Sequence, residues 1–562
     1  MSETSGFLPL ASQPDKIIVM KTILGAAIGS CVHVGGLHHF LKLAESEGYI
    51  TGSLGPAVAV GRLVKVIEEQ KPDIVALSYR LTPSAASELF TDIGIALQRI
   101  EIKRPRLIFG GTPPVAEEAR KSGLFEKIFD GTESRGEIKQ YLRGGDETEG
   151  CHIPPATLIG RIEEKYPYPL LRHHFGRPSL TETVEGATRI AEAAVLDILS
   201  IGPDQNAQEH FFRPAEMDHS QDGAGGVPLR KPEDLEAIYQ NTRCGNYPLI
   251  RCYSGTRDLM KWAEMSVRTI RNAWGAIPLC WYSVIDGRST RTLEDAIKEN
   301  QEVMHWYATQ GIPVEVNESH QWSLRDAHDS LAVTMAFLAA YNAKKQGVRN
   351  YVSQYMFNNP PGTSPEMDIA KMLAKNELIE ELSDDEFEVF RQVRAGLAHF
   401  SSVPAIAKGQ LASSAVVSLA LKPHILHVVG FSEGDHAIYP DELIESCNII
   451  HGVLHNTLQG MPDLTESIKI RNRKEELKEE TRVLLYELNR SGTGRCEDPW
   501  SDPHNIAEAI RSGLLDTPHF HGNPSLCGKI LTRLIEGAWY AVDRDSGEKL
   551  TENERIMALE KI

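Results

Sequence analysis

Two adjacent stretches decide the class of the N-terminal region: Lys16-Ile17-Ile18-Val19-Met20-Lys21-Thr22-Ile23-Leu24-Gly25, and then Gly29-Ser30-Cys31-Val32-His33-Val34-Gly35-Gly36. The first is the near-continuous apolar run of a strand buried on both faces, as parallel sheets require. The second is a Gly-bracketed turn, followed by a helix pattern over Leu37–Glu45. A histidine on the strand-to-helix turn, at the carboxyl end of the first strand, stands where open α/β sheets bind ligands. Other readings of the turn remain open. His33 serves equally as a satisfied histidine at a helix start. A Gly-rich loop can also cradle phosphate at a helix N-terminus, although G-x-G-x-x-G and the P-loop lysine are both absent here.

Working outward, helix patterns at Ala59–Gln70, Ser84–Arg99 and from Val115 alternate with strand-like runs at Asp73–Ser78, Arg106–Gly111 and Lys127–Asp130. This predicts a flavodoxin-like doubly wound parallel sheet over residues 1–148. The polar, Gly-rich stretch Gly144-Gly145-Asp146-Glu147-Thr148-Glu149-Gly150 reads as a linker. Beyond it, candidate strands at Asp197–Ile201, Pro248–Tyr253, Ile277–Val284, Pro313–Asn317, Val348–Met356 and His424–Val429 alternate with helices such as Asp258–Arg271, Leu293–Thr309 and Leu331–Lys345. Repeated βα units over this length predict a (β/α)8 TIM-type barrel, residues 149–485, with functional residues just past strand ends. A charged helix, Ile468–Asn489, leads to a C-terminal α+β extension, residues 486–562.

Composition narrows the partners. The 562 residues carry 59 Lys+Arg against 77 Asp+Glu, a net charge of −18, which disfavours nucleic acid and anionic membrane surfaces. Met1–Gly6 lacks the basic start and apolar core of a signal peptide, and no run approaches the roughly 18 apolar residues of a membrane span. The eight cysteines are scattered, with no C-x-x-C pair and no C-x-x-x-C-x-x-C iron–sulfur triad. A reducing cytoplasmic setting is the expectation.

The opening turn resembles the cobalamin-binding module whose pattern is D-x-H-x-x-G, with Cys31 in the Asp position, His33 as the His and Gly36 as the Gly. Ser78 ends the second central strand, where that family has S-x-L, and Gly110-Gly111-Thr112 ends the third, where it has a Gly-Gly pair. The separations of about 45 and then about 30 residues match as well. The resemblance covers residues 16 to 140. It implies His33 as the axial ligand of the cobalt, with Ser78, Gly110, Gly111 and Thr112 along the cofactor's nucleotide tail. Two positions depart from the pattern: Ser78-Tyr79-Arg80-Leu81 has Arg where the motif has Leu, or carries a one-residue insertion, and Cys31 replaces the Asp that orients the ligand histidine. A thiol is a weak acceptor, so His33 is expected to be a differently tuned ligand.

From about 165 to 540 short motifs resemble the catalytic subunit of the glutamate mutase (methylaspartate mutase) family. Phe175-Gly176-Arg177-Pro178 and Arg251-Cys252-Tyr253-Ser254-Gly255-Thr256 resemble segments whose arginines bind a substrate carboxylate. Gly311–Glu318 resembles the strand ending in the family's catalytic Glu, and Asp498-Pro499-Trp500 and Leu514–Pro518 resemble its C-terminal region. Read from the residues alone, Arg177 and Arg251 are carboxylate forks or rim ion pairs. Glu318 is a general base or ammonium ligand, or a solvated loop acid. His320 is a second titratable group beside it, and Tyr253, Gln354 and Asn358 are polar groups near strand ends. The loop Asn359–Pro365 either holds an anion at the start of helix Glu366–Lys375 or is a plain βα connection. Glu294 stands where the family has a further carboxylate-binding Arg, with Arg288 and Arg291 nearby as substitutes, which argues against glutamate itself.

The resemblance implies an isomerase: an adenosylcobalamin-dependent radical mutase, homodimeric, acting on glutamate or a related amino acid. Glu318 would engage the amine, and Arg177, Arg251, His320 and Tyr253 would bind the substrate. A corrinoid methyltransferase and a non-catalytic cobalamin-binding protein are the alternatives. No lysine context marks a pyridoxal phosphate site.

Overall fold

A computed structural model of the protein describes residues 21–100, 102–133, 135–142, 153–253, 255–458 and 460–559. Met1–Met20, including the first half of the opening run, and the linker Gly144–Gly150 lie outside the described residues. The chain divides into two compact units, Met1–Cys151 and His152–Ile562.

In the first unit the opening strand, β1, spans Thr22–Ala27. It is joined by β2 (Ile50–Ser53), β3 (Ile74–Tyr79), β4 (Arg106–Gly111) and β5 (Lys127–Phe129) in a fully parallel sheet of order β2-β1-β3-β4-β5. This is the flavodoxin-like strand order, whose switch point lies between β1 and β3. Register aligns the three central strand ends, pairing Ala27 with Ser78, and Ser78 with Gly110. The sequence reading has no strand at β2. That strand is an edge with mostly exposed residues, Ile50 among them, so it carries no apolar run.

The second unit holds eight parallel strands: β6 (Leu170–Phe175), β7 (Ile198–Ile201), β8 (Leu249–Cys252), β9 (Gly275–Ile277), β10 (Val314–Val316), β11 (Asn350–Phe357), β12 (Glu388–Ala395) and β13 (Ile425–His427). Their order, β8-β7-β6-β13-β12-β11-β10-β9, makes a nearly closed barrel, and each strand is followed by a helix. Between β8 and β9 the ladder is replaced by two bonds: Ala273 N–H to the Ile250 carbonyl (2.9 Å) and Cys252 N–H to the Asn272 side chain (3.0 Å).

Inward positions follow the period-2 rule of strands. Leu170, Ile198, Leu249, Ala276, Val352, Phe390 and Ile425 form an apolar plug at the strands' N-terminal ends, capped by Leu158 and Ile162. Two residues further along come Arg172, Ser200, Arg251, Gln392 and His427, all buried. Two further still are His174, Tyr253, Met356 and Arg394 at the mouth. Strands β6 and β12 are absent from the sequence reading because these polar inward residues interrupt their apolar alternation. The expected strand Ile277–Val284 is a second correction. β9 stops at Ile277, because the N–H groups of Leu279 and Cys280 turn to the Glu318 carboxylate instead of a neighbouring strand.

The long helix Ile468–Gly492 packs on helices Asp329–Lys345 and Pro365–Glu380. A buried ion cluster fixes all three: Lys371 to Asp329 (3.1 Å) and Asp368 (3.3 Å), and Arg473 to Asp329 (3.1 Å). The C-terminal residues add the hairpin β14 (Thr532–Ile535) and β15 (Ala538–Ala541) to this same unit. Among the described residues no helix is long and apolar enough to cross a membrane.

Candidate functional site

At the carboxyl ends of β1, β3 and β4 the first unit encloses a cavity of about 380 Å3, within the usual range of ligand pockets. His33, Gly36, Ser78, Gly110, Gly111 and Thr112 all line it. Cys31 does not. Its thiol is fully buried in the core beneath the loop, which is pinned by Ala57 N–H to the Cys31 carbonyl (2.9 Å). Burying Cys31 turns His33 outward, and the Cys31 Sγ lies 3.9 Å from His33 Nδ1. The thiol therefore sits behind the imidazole as the motif's Asp would, and Nε2 has no protein partner among the described residues.

The two glycines at the end of β4 differ. A Cβ on Gly110 would meet nothing within 4 Å, so it would fill the cavity itself. A Cβ on Gly111 would lie 2.7 Å from both the Tyr79 carbonyl and the Phe109 ring, so Gly111 serves close packing. Gly36, like Gly110, opens onto free space. Arg80, the departure from S-x-L, also lines the cavity.

The barrel mouth holds a second cavity, of about 430 Å3, lined by Tyr253, His320 and Asn358 together with Gln208, Arg288 and Arg394. Beneath it lies the charged layer. Arg172 donates to Ser200 Oγ (2.8 Å), Gln392 Oε1 (2.5 Å) and His174 Nε2 (2.8 Å). Glu315 accepts from Arg251 (3.1 Å), Trp274 Nε1 (2.6 Å) and Gln392 Nε2 (3.0 Å). Since a guanidinium only donates, His174 Nε2 must accept, and the Tyr253 hydroxyl donates to it as well at 3.0 Å. Burial, then Arg172 and Arg251, holds the His174 pKa well below the ordinary value, so this ring is neutral. Burial and then Arg394 push His320 down to about 3. Burial alone would raise Glu315, but Arg251 and Arg172 outweigh it and keep the carboxyl ionised.

The remaining sequence candidates stand elsewhere. Arg251 is in the charged layer, under Tyr253, with Nε and Nη1 buried and unpartnered. Arg177 is a loop clamp, donating to the Ala437 carbonyl (2.7 Å) and lying over the Tyr439 ring. Glu318 is fully buried and accepts from Leu279 N–H (2.8 Å), Cys280 N–H (3.0 Å) and Trp322 Nε1 (2.7 Å). Neither Arg177 nor Glu318 lines the mouth. Glu294 is held on the barrel's outside by a two-pronged Arg511 pair (2.6 and 2.7 Å), so it does not bear on the substrate. The same arginine occupies the cluster of Glu294, His504 and Glu508, which a metal would otherwise suit. Arg394 and Gln208 belong to the mouth without any motif to flag them. The period-2 pattern Phe390-Gln392-Arg394 is the signal that would have found Arg394.

No protein-family model matches the chain. Among solved structures, 22% of the chain is similar to a cobalamin-binding protein from Desulfitobacterium hafniense DCB-2, at 25% identity and a TM-score of 0.20, and spans 59% of that protein. A further 13%-identical match covers 59% of the chain and 100% of 2,3-dimethylmalate lyase, a PEP mutase/isocitrate lyase superfamily member, at a TM-score of 0.27. The cobalamin-dependent S-adenosylmethionine radical enzyme OxsB matches at 10% identity over 89% of this chain and 72% of its own, with a TM-score of 0.17.

Proposed function

We propose that the chain is a corrinoid-dependent enzyme: its first unit holds adenosylcobalamin through His33, and its barrel rearranges the carbon skeleton of a small acid as a radical mutase. One observation carries this reading. The cavity at the sheet's carboxyl edge gathers His33, Gly36, Ser78, Gly110, Gly111 and Thr112, the residues that the D-x-H-x-x-G, S-x-L and Gly-Gly resemblance selects.

The residues present fit the group. His33 offers an exposed imidazole nitrogen free to ligate a metal, and Gly110 and Gly36 leave side-chain-free space beside it. When bound, the adenosyl form supplies hydrogen-atom abstraction through homolysis of its cobalt–carbon bond. The chain's own part is positional. Cys31 holds the His33 ring from behind, with a weaker acceptor than a carboxylate. In the barrel, Arg394, Arg288, Tyr253, His320 and Asn358 surround the substrate at the mouth, and the packed layers below close its floor to water.

Anaerobic UV–visible titration with adenosylcobalamin, on the native chain and on His33→Ala, tests the reading. Saturable binding that weakens at least tenfold in the variant is the expected result. Absence of binding, or binding indifferent to His33, would overturn it.

A further inference from the structure

Formal charge at the barrel mouth is one-sided. Arg288 and Arg394 line the cavity, and no aspartate or glutamate does. Neither guanidinium is in an ion pair among the described residues. The Arg394 side chain makes one hydrogen bond, from Nε to the Ala395 carbonyl at 3.3 Å, and the Arg288 side chain lies over the Tyr282 ring at 5.2 Å. Two arginines without an ion-pair partner among the described residues line one pocket, and Arg394 reaches the buried Glu433 only through longer-range attraction.

The carboxylates that nearby strands and loops supply are already engaged. Glu315 is bound by Arg251, Trp274 and Gln392, and Glu318 by Leu279, Cys280 and Trp322. Glu433 accepts from Gly430 N–H (2.8 Å) and lies 3.2 Å from His173 Nε2. Asp286 accepts from the backbone N–H groups of Tyr282, Ser283 and Arg288. His320 is held neutral and adds no charge to the cavity. An ammonium group entering the cavity would face two guanidiniums and no free carboxylate, an arrangement that rejects cations. An oxyanion would find planar forks suited to two-pronged binding.

We infer that the barrel takes a small organic dianion with no amino group, a dicarboxylate or a phosphate ester, and not an amino acid. This rests on the reading of the barrel mouth as the substrate site, and it stands apart from the cofactor assignment. Tyr253, Asn358 and Gln208 supply the neutral polar contacts that would orient hydroxyl or carbonyl groups on such a molecule.

Isothermal titration of the full chain with glutarate, L-glutamate and glycerol 3-phosphate tests it. Glutarate or glycerol 3-phosphate should bind at least tenfold more tightly than glutamate, and the better of the two identifies carboxylate or phosphate as the recognised group. Arg394→Gln should weaken that binding at least tenfold. Arg288→Gln, at an exposed position, serves the same purpose if the first variant does not fold. Glutamate binding equal to or tighter than both anions, no binding by any of the three, or affinity unchanged in both variants would overturn the inference. A corrinoid titration on the same preparation separates the two claims. A chain that binds cofactor but prefers glutamate refutes only the substrate class, and one that binds glutarate but no corrinoid refutes only the cofactor site.

Discussion

Both cavities sit at the carboxyl ends of parallel strands, yet they are built in opposite ways. The one in the first unit is made largely by withholding side chains: Gly36 and Gly110 open space beside the exposed imidazoles of His33 and His39. The one at the barrel mouth is made by supplying them, with guanidiniums, phenols and amides brought from strands and loops far apart in the chain. A site of the first kind suits a large, preformed group that the backbone must approach closely. A site of the second kind suits a small ligand read by charge and hydrogen bonds. The contrast also sets how each will respond to mutation.

The largest effect should come from closing the empty space. Gly110→Leu is expected to weaken adenosylcobalamin binding at least 100-fold, about 2.7 kcal/mol, with the thermal midpoint little changed because the added side chain starts from a Cβ that meets nothing within 4 Å and opens onto the cavity. Gly111→Ala, one residue on, should instead lower the midpoint, since its Cβ would press on the Tyr79 carbonyl and the Phe109 ring. Calorimetry with a binding titration separates the two, and an unfolded Gly110→Leu chain would break the contrast.

In the barrel the sharpest effect belongs to the floor and walls. Glu318→Gln should cost about 2–3 kcal/mol in urea denaturation, because an amide cannot accept all three donors that a carboxylate satisfies. Its affinity for small anions should hold. Unchanged stability with lost anion binding would return Glu318 to the mouth.

Acid should also act on the barrel more than on the sheet unit. His174, His427 and His320 all have folded-state pKa values lowered chiefly by burial, His320 to about 3. Below the unfolded value near 6.5 the unfolded chain binds more protons than the folded one, so stability is present above that pH and is lost on acidification towards the folded values. The slope is up to about 1.4 kcal/mol per pH unit for each histidine, less for the partly open His320. Denaturant midpoints at pH 7 and pH 5 test this, and the amount by which the profile below pH 6 becomes shallower in His320→Asn gives that histidine's share.

The smallest change expected is at Cys31. Replacing the thiol with a carboxylate, Cys31→Asp, gives His33 Nδ1 a stronger acceptor. It should tighten corrinoid binding a few-fold and shift its visible bands, while anion binding at the barrel stays the same and the thermal midpoint falls, because position 31 is fully buried among apolar side chains.

How much of this was legible in sequence follows from the same contrast. The sheet unit could be read because its cavity residues lie at strand ends in chain order and are of unusual types, a histidine and paired glycines. The edge strand β2 escaped because edges need no apolar run. The barrel was legible as an alternation of strands and helices, but β6 and β12 were hidden by the polar residues they turn inward, Arg172 and His174 on one, Gln392 and Arg394 on the other. Its site was the least legible part. Arg177, Arg251 and Glu318 sit at or near strand ends as expected, but whether such a residue faces the mouth, the interior or a loop depends on one residue of register. Register decided against Glu318, which folds back on Leu279 and Cys280, and in favour of Arg394, which no motif announced.

The polar layer inside the barrel bears on how this protein can change through descent. Arg172, Ser200, Arg251, Trp274, Glu315 and Gln392 lean on one another, so losing any one strands a buried charge or donor that its neighbours cannot satisfy. Single substitutions there are strongly coupled, and viable alternatives require several simultaneous changes. Of the mouth residues one layer above, His174 and Tyr253 are tied into that network, whereas Arg288, Arg394 and Asn358 are not. Divergence within a lineage should therefore accumulate at the rim, remodelling ligand preference one side chain at a time, while the layer beneath persists as an inherited unit.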